Sequence, residues 1–295
     1  MPKPSADLAG PGPEAVRRRP EQLLLAFMGE LVVDRDVGPL PTAELIALLA
    51  ELGVGEAATR ATLNRMAARG LLAPIRVGRT VSHVLTPESE RVLREAKGRV
   101  FADDPFAPLG TGWTLVTFSV PESRRDMRHR VRAQLAWAGF GLLRDGLWIA
   151  PGEVDVAEAL GGVHDGRPDD DAPGGGALDG GPADAMELVA FRAHEVPGFS
   201  AARSVRTAWR LDEMRVRHEE FRRRWAGRAP GGGPAALADL TALVADWLDL
   251  LRAVPRLPAE HLADDWPAAL SVATFRGLHA ALVEPARGEL ERRLG

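Results

Sequence analysis

Arg60, Asn64 and Arg65 are the residues of this chain whose types and spacing best match a chemistry. They fall in the run Glu56 to Arg69, where Thr59, Leu63 and Met66 recur at helical spacing and make one apolar stripe. The three polar residues then point away from that stripe. An arginine can span O6 and N7 of guanine, and an asparagine can bridge N6 and N7 of adenine, both in the major groove. Arg76, Arg79 and Thr80 flank the tip of a predicted hairpin, where such groups meet phosphates or the minor groove. Residues 54–99 hold nine Arg or Lys against four Glu, a local balance of +5. The chemistry implied is nucleic-acid recognition. The alternative use of the same residues is a solvated face on a protein-contact domain.

Signals for catalysis are missing. Gly-x-Ser-x-Gly, the phosphate-binding Gly-x-x-x-x-Gly-Lys-Ser/Thr and His-Glu-x-x-His do not occur. The seven histidines, His83, His129, His164, His194, His218, His261 and His279, include no pair at the i, i+4 metal spacing. There is no cysteine, which excludes a thiol nucleophile, a disulfide framework and Cys-ligated metals. Asp169-Asp170-Asp171 lies in a Gly-rich stretch and reads as a solvated acidic loop. The expectation is a non-enzyme with no catalytic residues, no metal and no cofactor. A second basic run, 203–228, has nine Arg against four acids. It reads as a charged solvent face that pairs with the acidic region 237–266, rather than as a holder of phosphates. The tryptophans read mostly as core anchors.

The elements that position these residues form a multi-domain α+β chain. Length, 295 residues, suits two or three domains. Net charge is -4, which on its face argues against a nucleic-acid binder, so the local balance matters. Thirty-five of the 37 basic residues are arginines, a bias that carries no function by itself. No run of about 20 apolar residues is present, so no membrane span is expected. Residues 1–19 lack an apolar core segment and read as a disordered arm rather than a signal peptide. With no cysteine, the cytoplasm is the expected location.

Residues 20–100 read as helix, helix, short Gly turn, helix, two strands and a fourth helix, with Pro20 opening the first helix and Thr42 as N-cap of the second. That is the order of a winged helix–turn–helix. Residues 110–198 read as a strand from Trp113, a helix with Ser123 and Asp126 as a capping box, a strand Leu142 to Ile149, a short helix, a disordered loop over 161–184 and a strand from Met186. A split at Asp145-Gly146 supplies the fourth strand of a split-βαβ, ferredoxin-like unit. Residues 204–295 read as helical, with one helix over Val205 to Trp225.

Four segments then resemble a known family. GVGEAATRATLNRMAARGLL (53–72) resembles its turn and recognition helix, and RVGRTVSHVLT (76–86) its wing. Residues 113–151 carry a strand, Pro-Glu, an Arg-rich helix, GFG and GLWIAP, similar to its central signature. PRLPAEHLADDWPAAL (255–270) resembles its C-terminal Leu-Pro…Asp-Trp-Pro segment. In this order the chain resembles the PaaX-type transcriptional regulators. The resemblance implies a winged helix–turn–helix, a Cas2-like middle domain and a helical C-terminal domain. It also implies a homodimer on a palindromic double-stranded operator, and repression relieved by an acyl-CoA effector such as phenylacetyl-CoA. The alternative is a protein-interaction or nucleic-acid-processing protein that keeps the fold without operator binding. A metal nuclease of the Cas2 type needs a carboxylate at the end of its first strand. Phe118-Ser119-Val120-Pro121 offers none there.

Overall fold

A computed structural model describes residues 18–144, 146–160, 186–198 and 201–295. Most of the arm and the whole loop expected over 161–184 lie outside the described residues. Contacts divide the chain into two compact units. The first takes the described part of Met1–Arg94 with Gly231–Asp246 and Pro285–Gly295; the second takes the described parts of Glu95–Pro230 with Trp247–Glu284.

In the first unit, α1 (Pro20–Leu31) starts with its proline where a missing N–H is harmless, and buries Leu23, Leu24, Phe27, Met28 and Leu31. A two-residue strand, β1 (Leu40–Pro41), leads into α2 (Thr42–Glu51), which buries Leu45, Leu48 and Leu49. Gly53, with φ 80°, makes the turn into α3 (Glu56–Ala68). Strands β2 (Leu72–Val77) and β3 (Thr80–Leu85) form an antiparallel hairpin, and β1 adds to its β3 edge to give the order β1-β3-β2. Helix α4 (Pro87–Val100) follows. It is capped by Thr86, whose Oγ1 accepts from the Ser89 N–H at 3.3 Å.

Thr42 departs from its expected role. It is the first helical residue, and Pro41 holds the cap position without a side-chain bond. The Thr42 hydroxyl instead donates to the Val81 carbonyl at 2.9 Å. The reason is β1: Leu40 and Pro41 pair with His83 and Ser82, which draws the helix start onto the strand.

The second unit is built on four antiparallel strands. They are β4 (Trp113–Ser119), β5 (Gly141–Arg144), β6 (Leu147–Pro151) and β7 (Glu187–Ala193), in the order β5-β6-β4-β7. Helix α5 (Arg125–Trp137) connects β4 to β5, and the short α6 (Val156–Ala159) follows β6. The order and connections are those of a split-βαβ sheet. The strand read as Leu142 to Ile149 is divided as anticipated, with Gly146 at φ 75°. Period-2 alternation buries both faces of β4. Val116 packs with Val131, Leu135, Phe140, Trp148 and Ala150 on one side. Trp113 packs with Ile149, Val205, Trp209 and Leu257 on the other.

Two expectations fail here. Ser123 lies inside a 3-10 turn, Glu122–Arg124, and it is Arg124 that occupies the cap position of α5, without a side-chain capping bond. The long helix over Val205 to Trp225 is two helices, α7 (Ala202–Ala208) and α8 (Leu211–Trp225). Trp209 breaks it in extended conformation, φ -126° and ψ 143°. Its ring stacks on Trp113 with centroids 6.3 Å apart, and its Nε1 donates to the Gly139 carbonyl at 3.3 Å. Helices α9 (Pro234–Ala253) and α10 (Ala268–Leu294) complete the chain. Among the described residues no helix is long and apolar enough to cross a membrane.

Candidate nucleic-acid interface

Helix α3 sorts its residues by face. Thr59, Thr62, Leu63 and Met66 are buried; Arg60, Asn64 and Arg65 are exposed. The two buried hydroxyls are satisfied within the helix, Thr59 donating to the Gly55 carbonyl at 3.2 Å and Thr62 to Ala58 at 2.8 Å. Thr62 was not part of the stripe expected from spacing. Its signal was the Thr59–Thr62 repeat, three residues apart and therefore on one face.

Local bonds hold the arginines along the helix. Arg60 Nε donates to Glu56 Oε1 at 2.8 Å, an exposed i, i+4 pair. Arg65 Nη2 donates to Thr62 Oγ1 at 2.9 Å. Arg69, one turn beyond Arg65, is drawn off by Glu21 at 2.7 Å. Exposed pairs of this kind contribute only about 0.3–0.5 kcal/mol, so Arg60 exchanges Glu56 for a stronger acceptor at small cost. Gly70, in the left-handed region at φ 71°, ends the chain's helical run.

The hairpin that follows has a two-residue tip, Gly78-Arg79, between the paired residues Val77 and Thr80. Gly78 has φ 60°, the conformation a tight tip demands. Arg76, Arg79 and Thr80 are all exposed. Arg76 is paired with Val81 and Thr80 with Val77, so alternation puts Arg76 and Thr80 on opposite faces of the ribbon. The six residues thus form a helix trio and a hairpin trio. Helix α3 packs against β2 within the first unit.

Elsewhere, the expected pairing of the second basic run with acidic residues occurs at Arg215, which donates to Asp265 at 2.7 Å and lies 5.3 Å from the centroid of the Trp266 ring. His218 is fully buried, its Nδ1 3.0 Å from Ser271 Oγ and its ring edge-on to Phe106. Burial, with the charges of Arg215 and Arg222 adding to it, pushes its pKa down to about 4. It is therefore neutral near pH 7, a packed core base.

An α+β chain whose middle portion is a Cas2-like sheet is the class defined by the fold, and comparison with known proteins agrees. Residues 107–162 match the family described as PaaX protein central Cas2-like domain. Residues 19–89 match the family described as PaaX-like protein. Both matches support a PaaX-type regulator, and together they cover 127 of the 295 residues. It is 28% identical over 140 residues to the transcriptional repressor PaaX of Escherichia coli (strain K12), a stretch covering 47% of this chain and 43% of that protein. The match thus spans less than half the length of that relative. Its fold is also similar to that of an uncharacterized protein, Rv0674, from Mycobacterium tuberculosis. That match has a TM-score of 0.55 and 20% identity, and covers 93% of this chain and 99% of the other.

Proposed function

We propose that this protein is a DNA-binding transcriptional repressor that uses residues 20–100 as a winged helix–turn–helix. Helix α3 enters the major groove, and the β2–β3 hairpin is the wing. One observation carries the reading. Arg60, Asn64 and Arg65 are exposed on α3, off its stripe of buried residues, and a tight hairpin bearing Arg76, Arg79 and Thr80 follows. A recognition helix needs this division between a packed face and a base-reading face. Arg60, Asn64 and Arg65 read base edges; Arg76, Arg79 and Thr80 take phosphates or the minor groove.

The finer reading continues from these family matches. Residues 110–198 form the Cas2-like middle domain, and 204–295 contribute a helical C-terminal region. The protein acts in the cytoplasm as a homodimer on a palindromic operator, without catalysis or cofactor. An acyl-CoA thioester, phenylacetyl-CoA being the first to try, favours a dimer geometry whose recognition helices misfit the half-sites. The link to phenylacetic acid catabolism follows from that effector.

Footprinting of purified protein on the DNA upstream of its own gene tests the core of this reading. A protected inverted repeat is expected at low salt. R60A with R65A should abolish the footprint, since each lost bidentate contact costs about 1–3 kcal/mol. An unchanged footprint in that variant refutes the placement of the recognition helix. Titration with thioesters tests the effector separately: release is expected with an aryl-acyl-CoA and not with coenzyme A alone.

A further inference from the structure

Helix α5, in the second unit, also sorts its residues by face. Val131 and Leu135 are buried with Val116, Phe140 and Trp148. The opposite face is exposed and basic. Residues 122–137 hold five arginines, Arg124, Arg125, Arg128, Arg130 and Arg132, against Glu122 and Asp126, a balance of +3 in a chain of net charge -4. Glu122 engages Arg125 and lies 3.8 Å from Arg128. Arg128 is half-buried and also donates to the Val120 carbonyl at 2.7 Å. Arg124, Arg130 and Arg132 are exposed, and their guanidinium groups take no carboxylate partner among the described residues. The arginines of α8 are a different case: Asp212, Glu213, Glu219 and Glu220 are interspersed with five of them and leave a balance of only +1.

Helical spacing sets the shape of that face. His129, Ala133 and Ala136 form its crown at i, i+4 and i+7, and all three are exposed. Arg130 and Arg132 flank the crown on opposite sides. Two alanines let an extended polyanion come close to the helix, while guanidinium groups reach it from both edges. The crown runs for about 10 Å at ~1.5 Å per residue. A duplex carries one negative charge per ~1.7 Å of its axis, hence about six over that length. What the face lacks narrows the partner further. From Arg125 to Ala136 it presents no phenylalanine or tryptophan on which a single-stranded base could stack. No large hydrophobic residue is exposed there to enter a bilayer interface or to anchor the core of a protein interface. A regular array of phosphates asks for none of these.

We propose that the exposed face of α5 is a second DNA-binding surface, which holds the phosphate backbone of a duplex without reading its sequence. Arg130 and Arg132 supply the flanking contacts, Arg124 supplies one at the helix start, and Arg125 exchanges Glu122 for a phosphate. The surface needs no operator and no effector, so it stands or falls separately from base reading by α3.

Fluorescence anisotropy of a labelled duplex of arbitrary sequence, titrated with the full chain between about 50 and 200 mM salt, supplies the test. Binding should persist in R60A with R65A. Adding R124Q, R130Q and R132Q to that variant should weaken it about tenfold or more at low salt. The log–log salt slope should fall by about 2 to 3, since each phosphate contact contributes roughly 0.9. R206Q with R217Q and R223Q removes the same charge from exposed positions of α7 and α8 and should leave the slope nearly unchanged. R132Q alone should lower the slope by about one, which guards against misfolding of the triple variant. The Tm of the α5 triple variant should match that of the natural protein, because none of the three charges is paired. An unchanged slope overturns the surface, and so does an equal loss in the two triple variants, which would reduce the effect to net charge. A lower Tm with duplex binding intact would mean that these arginines serve the protein's own acids, and overturns it too. So does binding of anionic lipid vesicles that depends on them while duplex binding does not. An operator footprint that survives R60A with R65A but weakens in the α5 variant sinks the reading of α3 and supports this one.

Discussion

At the scale of single residues, the sharpest contrast is between charges left accessible and a base kept dry. Arg60 and Arg65 are held by weak local bonds and stay exposed, ready to exchange partners. His218 is the reverse case: fully buried, bonded to Ser271 and enclosed by the edges of Phe106 and Trp266. Its folded pKa, about 4, is below the ordinary 6.5. Between those values the unfolded chain binds a proton that the folded protein refuses, so stability rises with pH there. The contribution is complete above 6.5 and is lost as pH falls toward 4. Urea denaturation across that window should show the decline in the natural protein. In H218Q the decline should be shallower, whatever the change in absolute stability. An identical slope in both proteins would remove His218 from the acid response.

At the scale of elements, what could be read from sequence was what is decided locally. Helix α3 and the hairpin announce themselves through periodicity and through Gly53, Gly70 and Gly78, each of which takes a positive φ. The exposed trio on α3 follows from the same period. The strand β1 was not legible, because two residues carry no period and pair only once Ser82 and His83 are in place. The break at Trp209 was not legible either, since no glycine or proline marks it. It is imposed from a distance, by the Trp113 ring and the Gly139 carbonyl. The arrangement of the six proposed contacts was only half readable: the ribbon alternation that separates Arg76 from Thr80 needs the register of the hairpin. Packing at β5 leads to a further prediction. A Cβ at Gly141 would meet the Ala208 carbonyl oxygen at 2.7 Å and Trp209 Cε2 at 2.8 Å. G141A should therefore cost about 1–3 kcal/mol by overpacking, seen as a lower denaturation midpoint. Because the clash falls where β5 meets α7, near-ultraviolet dichroism of the stacked tryptophans should change too. A neutral outcome would mean that α7 is free to move off the sheet edge.

At the scale of the whole molecule, the net charge of -4 hides an uneven distribution. Residues 54–99 carry +5, while the stretch around the Gly-rich loop is strongly acidic. Exposed charges act over roughly 8–10 Å at physiological salt, so a phosphate feels the local excess and not the sum. If the hairpin arginines contact phosphates, the logarithm of operator affinity falls linearly with the logarithm of salt concentration. R79A should reduce that slope by about one while leaving base preference unchanged. R65A should do the opposite, relaxing preference at one position with little effect on the slope. Equal behaviour of the two variants would merge the proposed reading and anchoring roles. The aromatic composition has a practical outcome of its own. With no tyrosine in the chain, its ultraviolet fluorescence comes from indole alone. Trp113, Trp148, Trp209, Trp225 and Trp247 are buried, whereas Trp266 is half-buried, lines a cavity of about 850 Å³ and has the Arg215 guanidinium against its ring. The molecule thus carries a built-in optical reporter: the emission lost in W266F belongs to the cavity wall, and a ligand that fills the cavity announces itself in that component without any added dye.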